Sequence, residues 1–110
     1  MNTDLRHGEQ IVKEGGANLQ RNVETVGGRL YLTNQRLVFE THKFNVQSGT
    51  KEIALSDVHS LQPCWTKFLG LFPLFPNSLA VFTKNGTEYR FVLVGRRAWA
   101  AAIEAQRTAG

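Results

Sequence analysis

The sequence lacks the features that mark secreted and membrane-spanning proteins. It has a single cysteine, Cys64, so no disulfide can form within the chain. No run approaches the roughly 20 apolar residues that a spanning helix needs. The first residues, MNTDLRHGEQ, contain no apolar segment of a signal peptide. We therefore expect a cytoplasmic protein whose contact with a membrane, if it has one, is peripheral and at the inner face.

The motifs of catalysis and cofactor binding are missing as well. The sequence has no Walker loop, no GxGxxG and no GxSxG. Its three histidines, His7, His42 and His59, are scattered, and none has metal-ligand spacing with Cys64 or with a carboxylate. The sequence thus favours a non-enzymatic protein with no cofactor, no metal and no small-molecule substrate.

The charge is mildly basic and spread along the chain. The chain has 13 Lys and Arg residues and nine Asp and Glu residues, which gives a net charge of +4. Among the basic residues, only Arg96 and Arg97 are adjacent. This balance permits an anionic partner, lipid or nucleic acid, without requiring one. Arg29, Tyr31 and Arg36 look exposed and would suit a nucleic acid. Because the aromatic residues are not interleaved with dense basic residues, we rank nucleic acid third among the partners.

Short alternating runs separated by turn residues predict a mainly β protein. In RLYLT, Leu30 and Leu32 share one face, and after a turn at residues 33–35 the run RLVFET places Leu37 and Phe39 on one face, which predicts a hairpin. Asn-Gly at residues 85–86 predicts a second hairpin. In all we expect seven strands, at residues 17–22, 23–33, 36–41, 51–55, 58–65, 79–83 and 88–94.

The end of the chain predicts a helix that closes the sheet. RRAWAAAIEAQRT has no Gly or Pro, and Trp99 and Ile103 are four residues apart on one face. A chain of 110 residues can hold a core without disulfides, so we assign residues 1–110 to one domain, with an ordered core of about residues 9–106 and a loosely docked leading segment, 1–15. The predicted core is Leu30, Leu32, Leu37, Phe39, Ile53, Leu55, Phe91, Leu93, Trp99 and Ile103.

One segment closely resembles the signature of the GRAM domain family. GGRLYLTNQRLVFETH, residues 27–42, matches its Gly, its apolar-Tyr-apolar-Thr run, its Asn and Arg at the turn, and the Leu-apolar-Phe that follows. EIALSDVHSL, residues 52–61, and TEYRFVLVGRRAW, residues 87–99, are similar to later segments of the family. The resemblance covers about residues 9–106, and the chain as a whole resembles small bacterial stand-alone versions.

The resemblance implies a fold and a class of function. The fold is the pleckstrin-homology-like (PH-like) one, a partial barrel of seven antiparallel strands in two curved sheets, closed by a C-terminal α-helix. The function implied is a membrane-associated or protein-binding module. Phosphoinositide-binding PH domains carry a Lys and then Arg-x-Arg around the first hairpin. Here the nearest match, Arg29-Leu30-Tyr31, lacks the second basic residue, which leaves attraction to anionic lipid without a specific head-group motif.

The most unusual stretch is KFLGLFPLFPNS, residues 67–78, where six of twelve residues are large and apolar. Gly70, Pro73 and Pro76 argue against a helix or a central strand, so we predict a loop. Its apolar side chains can cover the core, enter a membrane interface, or bind a protein, including a second copy of this chain as a homodimer. We favour peripheral association with anionic membrane lipid or membrane-proximal scaffolding, with protein interaction or self-association as the alternative. The candidate binding residues are Lys67, Phe68, Leu69, Leu71, Phe72, Leu74, Phe75, Arg29 and Arg36.

Overall fold

The structure, a computed structural model, describes residues 1–21, 24–42, 50–68 and 72–109. Its strands are β1 (Ile11–Arg21), β2 (Glu24–Thr33), β3 (Arg36–Thr41), β4 (Thr50–Ala54), β5 (Val58–Phe68), β6 (Phe72–Thr83) and β7 (Glu88–Leu93). A 3₁₀ turn, Leu55–Asp57, joins β4 to β5, and one helix, α1 (Arg96–Ala109), follows β7. The prediction of a mainly β protein with seven antiparallel strands and a C-terminal helix is confirmed.

The strands form a single antiparallel sheet rather than the two sheets that we predicted. Their order is β4-β3-β2-β1-β7-β6-β5, which leaves β4 and β5 as the two edges of a sheet that is not closed. The reason lies in β1, whose eleven residues are enough to pair with both neighbours. It pairs with β2 along its length and with β7 over residues 17–20, so the hydrogen-bonded ladder continues across the whole sheet.

The hydrophobic core lies between the sheet and α1. All ten residues of the predicted core are buried, and Ala17, Leu19, Val58, Leu79 and Val81 join them in one cluster. The rings of Phe39 and Phe91 pack with their centroids 5.7 Å apart. From the helix, Trp99 and Ile103 insert into this cluster. The alternation of apolar residues therefore identified the residues that face this core in the strands that it covered.

The first strand begins earlier than the sequence indicated, at residue 11 instead of 17. We had treated Gly15 and Gly16 as a break between elements, yet they pair with Leu30 and Arg29 inside the ladder. Backbone hydrogen bonds with β2 hold this stretch in the sheet whatever its side chains. Gly15 lies under the helix, where an added Cβ would be 3.5 Å from Cζ2 of Trp99.

The leading segment, residues 1–10, is docked against the outer face of β2 and β3, so the expectation of loose docking was wrong. Its backbone carbonyls accept hydrogen bonds from the turn between β2 and β3. The Gln10 carbonyl accepts the Asn34 backbone N–H at 3.1 Å, and the His7 carbonyl accepts the Gln35 side-chain amide at 2.9 Å. Near its start, the Thr3 backbone N–H donates to the Glu40 carboxylate at 2.8 Å. Tyr31 and Val38, a register pair between these anchors, are buried on the face that alternation assigned to solvent.

Candidate functional site

The β5–β6 hairpin extends beyond the rest of the sheet. Pairing between β6 and β7 stops at Ser78–Val92, whereas the β5–β6 ladder continues to Phe68–Phe72. We call this two-stranded extension, residues 66–68 and 72–76, the apolar arm. Within the predicted loop, 67–78, the structure shows strand at the described positions, 67–68 and 72–78. The two prolines, Pro73 and Pro76, are accommodated because this part of β6 has a strand partner on one side only.

The structure places most of the predicted binding residues in this arm. Lys67 pairs with Pro73, and Phe68 pairs with Phe72, at the far end of the ladder. Leu74 and Phe75 lie farther along β6. Leu69 and Leu71, at the predicted tip, lie outside the described residues. The arm therefore gathers the predicted apolar residues of β5 and β6 into one element.

Arg36, which looked exposed in the sequence, is buried and pairs with carboxylates. Its Nε donates to Oε2 of Glu9 at 2.8 Å and its Nη2 donates to Oε1 of the same carboxylate at 2.9 Å. Nη1 contacts the half-exposed carboxylate of Glu52, and Nη2 also donates to the Asp4 carbonyl at 2.9 Å. This guanidinium ties the leading segment to β3. It is not available on the surface, so the expected exposure of Arg36 was wrong.

The carboxylate of Glu9 completes this buried network. The hydroxyl of Thr33 donates to it at 2.6 Å, and the backbone N–H of Arg6 donates at 2.8 Å. The bidentate bond from Arg36 is the largest influence on Glu9 and, despite burial, lowers the pKa of this carboxyl to about 2. The Thr33 hydroxyl also accepts hydrogen bonds from the backbone N–H groups of Gln35 and Arg36, and these bonds stabilise the tight turn between β2 and β3.

Arg29 is exposed, as the sequence suggested, and has a partner of its own. Its Nη2 lies 3.1 Å from the Glu14 carboxylate on the neighbouring strand, and its guanidinium lies 6.0 Å from the centroid of the Tyr31 ring. An exposed ion pair of this kind is held weakly and can exchange with another anion. Arg29 faces Gly16 in the ladder, and Gly16 lines the groove described next.

A groove of about 770 Å³ adjoins the base of the arm, and we call it the arginine groove. It is lined by residues 16–18, 28, 42, 77 and 92–98, which come from β1, β2, β6, β7, the start of α1, the β7–α1 connection and the residue after β3. Arg96 and Arg97 supply two guanidinium groups, and His42 adds an imidazole. None of these described lining residues is acidic. Val94 stands at the same place with 92% of its surface exposed.

The groove is connected to the arm through Arg96 and Asn77. Nη1 of Arg96 donates to the Cys64 carbonyl at 2.7 Å, and Cys64 is the register partner of Ser78 at the base of the arm. Asn77 lines the groove and lies next to Ser78 in β6. Cys64 itself is half-buried, and burial raises the pKa of its thiol, in agreement with a structural role.

The sequence contained a signal for the groove that we did not use. Acidic residues are favoured in the first turn of a helix and basic residues are not, because the N-terminal end carries a partial positive charge. Here the predicted helix opens with the only adjacent basic pair in the chain, Arg96-Arg97, directly after a glycine. A break of a local preference of this kind often marks a functional site.

Two further searches of the described residues complete the survey. No three His, Cys, Asp or Glu side chains in this part of the chain come close enough together to hold a metal ion. Within the same residues, no helix has the length and apolar character needed to span a membrane.

Comparison with known proteins identifies the family. Among solved structures, the C-terminal domain of an unknown protein from Leishmania infantum superposes with a TM-score of 0.71 at 16% identity, covering 93% of this chain and 87% of that one. The Vps36 N-terminal PH domain superposes with a TM-score of 0.67 at 20% identity, covering 94% and 86%. At these identities the likeness shows the PH-like fold alone. A search of curated proteins returned no match.

The family profile for the GRAM domain matches residues 1–103, which is nearly the whole chain. GRAM and PH-like domains are typically binding modules associated with membranes or lipids. The signature segment, residues 27–42, forms the end of β2, the tight turn, β3 and the residue after it. The chain belongs to the GRAM domain family.

Proposed function

We propose that this chain is a non-enzymatic binding module that attaches peripherally to membranes containing anionic lipid. The observation that carries the proposal is the apolar arm, a two-stranded extension that leaves the sheet with Phe68, Phe72, Leu74 and Phe75 among its residues. An isolated two-stranded hairpin gains little stability by itself, so a concentration of large apolar residues in one needs a surface to cover it.

The energies favour the arm as the main source of attachment. Fully burying one Phe or Leu side chain is worth roughly 1.5–3 kcal/mol, so even partial insertion of the arm contributes several kcal/mol. A basic residue near an anionic surface contributes about 1 kcal/mol, and salt screens it. Lys67 in the arm and Arg29 beside the groove are the basic residues that we assign to the headgroup level. We therefore expect attachment that survives high salt.

Co-sedimentation with vesicles across a salt series tests this proposal. The chain is mixed with vesicles of phosphatidylcholine alone or with phosphatidylserine added. We expect binding to the anionic vesicles that high salt weakens but does not abolish. Phe72→Asp should remove it, because a charge in the arm opposes insertion. Val12→Asp places the same charge on a half-exposed apolar residue at the register shift of β1 and should leave binding unchanged. Absence of binding at every salt concentration contradicts the proposal.

The same arm supports a second candidate function, self-association or binding of another protein. The observation in its favour is that β5 is an edge strand, paired with β6 alone. Light scattering distinguishes the two functions. A dimer that Phe72→Asp converts to a folded monomer supports self-association. A wild-type monomer that binds vesicles supports membrane attachment.

A further inference from the structure

The arginine groove holds positive charge that no carboxylate among the described side chains neutralises. Five other arginines form ion pairs: Arg6 with Glu52, Arg29 with Glu14, Arg36 with Glu9, Arg90 with Glu88, and Arg107 with Glu104. Arg96 and Arg97 have no ion pair with any described carboxylate. Their charges meet in one groove, among lining residues that include no Asp or Glu.

The start of α1 adds hydrogen-bond donors to this charge. The Gly95 carbonyl accepts the N–H of Trp99 at 2.9 Å, which makes Gly95 the residue that caps the helix. Because glycine has no side chain, it cannot satisfy the N–H groups of residues 96–98, which have no partner within the helix. Gly95 adopts a φ of 76°, in the left-handed region that favours glycine. The first turn of α1, whose N–H groups the helix itself does not satisfy, and the two arginines therefore belong to the same groove.

The two arginines are prepared differently for binding. The hydrogen bond from Arg96 to the Cys64 carbonyl fixes its guanidinium against β5 while leaving donors on its other nitrogens. A guanidinium that is already fixed loses less conformational entropy when it binds an anion. Arg97 is exposed, and its side chain is free to turn toward a bound anion. Two guanidinium groups match a ligand with two negative charges on closely spaced oxygens better than a single carboxylate.

We propose that the arginine groove is a binding site for a phosphate monoester, with Arg96 as a fixed contact and Arg97 as a mobile contact. The phosphate can be the headgroup of a lipid or part of a soluble molecule. As a lipid site the groove rests on the membrane attachment proposed above, whereas binding of a soluble phosphate monoester does not. The groove volume of about 770 Å³ accommodates the phosphate with its attached alcohol.

Titration of the full chain with glycerol 3-phosphate at low salt, followed by calorimetry and by NMR amide shifts, tests the groove directly. We expect saturable binding that shifts the amides of Gly95 and Ala98. Arg97→Gln should weaken it about tenfold or more, since a charge-assisted hydrogen bond is lost. Lys84→Gln removes the same charge from an exposed residue of the β6–β7 turn and serves as the matched control. Absence of saturable binding, or equal weakening by both variants, overturns the proposal.

A second series separates the two sources of phosphate and the two proposals. Vesicles with phosphatidic acid are compared with vesicles carrying phosphatidylserine at equal charge. A preference for phosphatidic acid that Arg97→Gln removes supports a lipid headgroup. Binding of glycerol 3-phosphate without binding to either vesicle supports a soluble ligand and rejects membrane attachment. Vesicle binding that Phe72→Asp abolishes, with no binding of glycerol 3-phosphate by wild type, rejects the groove and retains the arm.

Discussion

Arg36 and Arg97 are the same side chain in opposite surroundings. Arg36 lies under the leading segment with 3% of its surface exposed and forms a bidentate bond with Glu9. Arg97 lies exposed in a groove whose described lining residues include no carboxylate. An arginine buried against carboxylates of its own chain organises the fold, whereas an exposed one that meets none is free to bind an anion from outside. Sequence position alone does not separate these two cases.

The largest expected effect comes from removing the buried arginine. Arg36→Met leaves the Glu9 carboxylate, whose side chain is 0% exposed, without its main partner. Breaking a buried ion pair at one member costs about 3–5 kcal/mol, and we expect a loss of this size in the free energy of unfolding measured with urea. The double variant Glu9→Gln/Arg36→Met should recover part of it. A single variant within about 1 kcal/mol of wild type would show that the pair contributes little.

The second-largest expected effect comes from acid, which should weaken the buried network around Glu9. The pKa of Glu9 lies at about 2 in the folded chain, below its ordinary value of 4.5. The carboxylate therefore contributes its full stability above the unfolded pKa, and this contribution is lost as pH falls from about 5 toward 2. Urea unfolding between pH 6 and pH 3 should show a decline that is smaller in Glu9→Gln. Equal slopes in both proteins would assign the acid sensitivity to other carboxyl groups.

The smallest expected effect on stability, and one of opposite sign, comes from replacing the exposed Arg97. Arg97→Glu places an acidic side chain in the first turn of α1, where the helix dipole favours it by about 0.3–1 kcal/mol. We expect thermal stability equal to or slightly above that of wild type, together with loss of glycerol 3-phosphate binding. A clear loss of stability would mean that Arg97, like Arg36, is part of the architecture, and the contrast between the two would disappear.

The sequence indicated the position of the arm but gave little sign of the groove. Six large apolar residues in one stretch identified residues 67–78 as a candidate site, but the prolines suggested a loop. Pro73 and Pro76 fit a strand because β7 stops pairing with β6 at Ser78, and no local pattern reveals where a neighbouring strand ends. The groove combines five separate elements of the fold and the connections beside them, so only its Arg96-Arg97 pair was visible in the sequence.

Local chemistry in the sequence determined the elements of this protein. Alternation selected the buried face of the strands, Thr33 and Asn85-Gly86 set two tight turns, and the spacing of Trp99 and Ile103 set the helix face that enters the core. These features depend on residues a few positions apart. The tertiary structure alone decided that residues 1–10 bury the outer face of β3, that β1 joins the strands into one sheet, and which arginines meet a carboxylate. Arg36 and Glu9 are 27 positions apart, and only folding places them in contact.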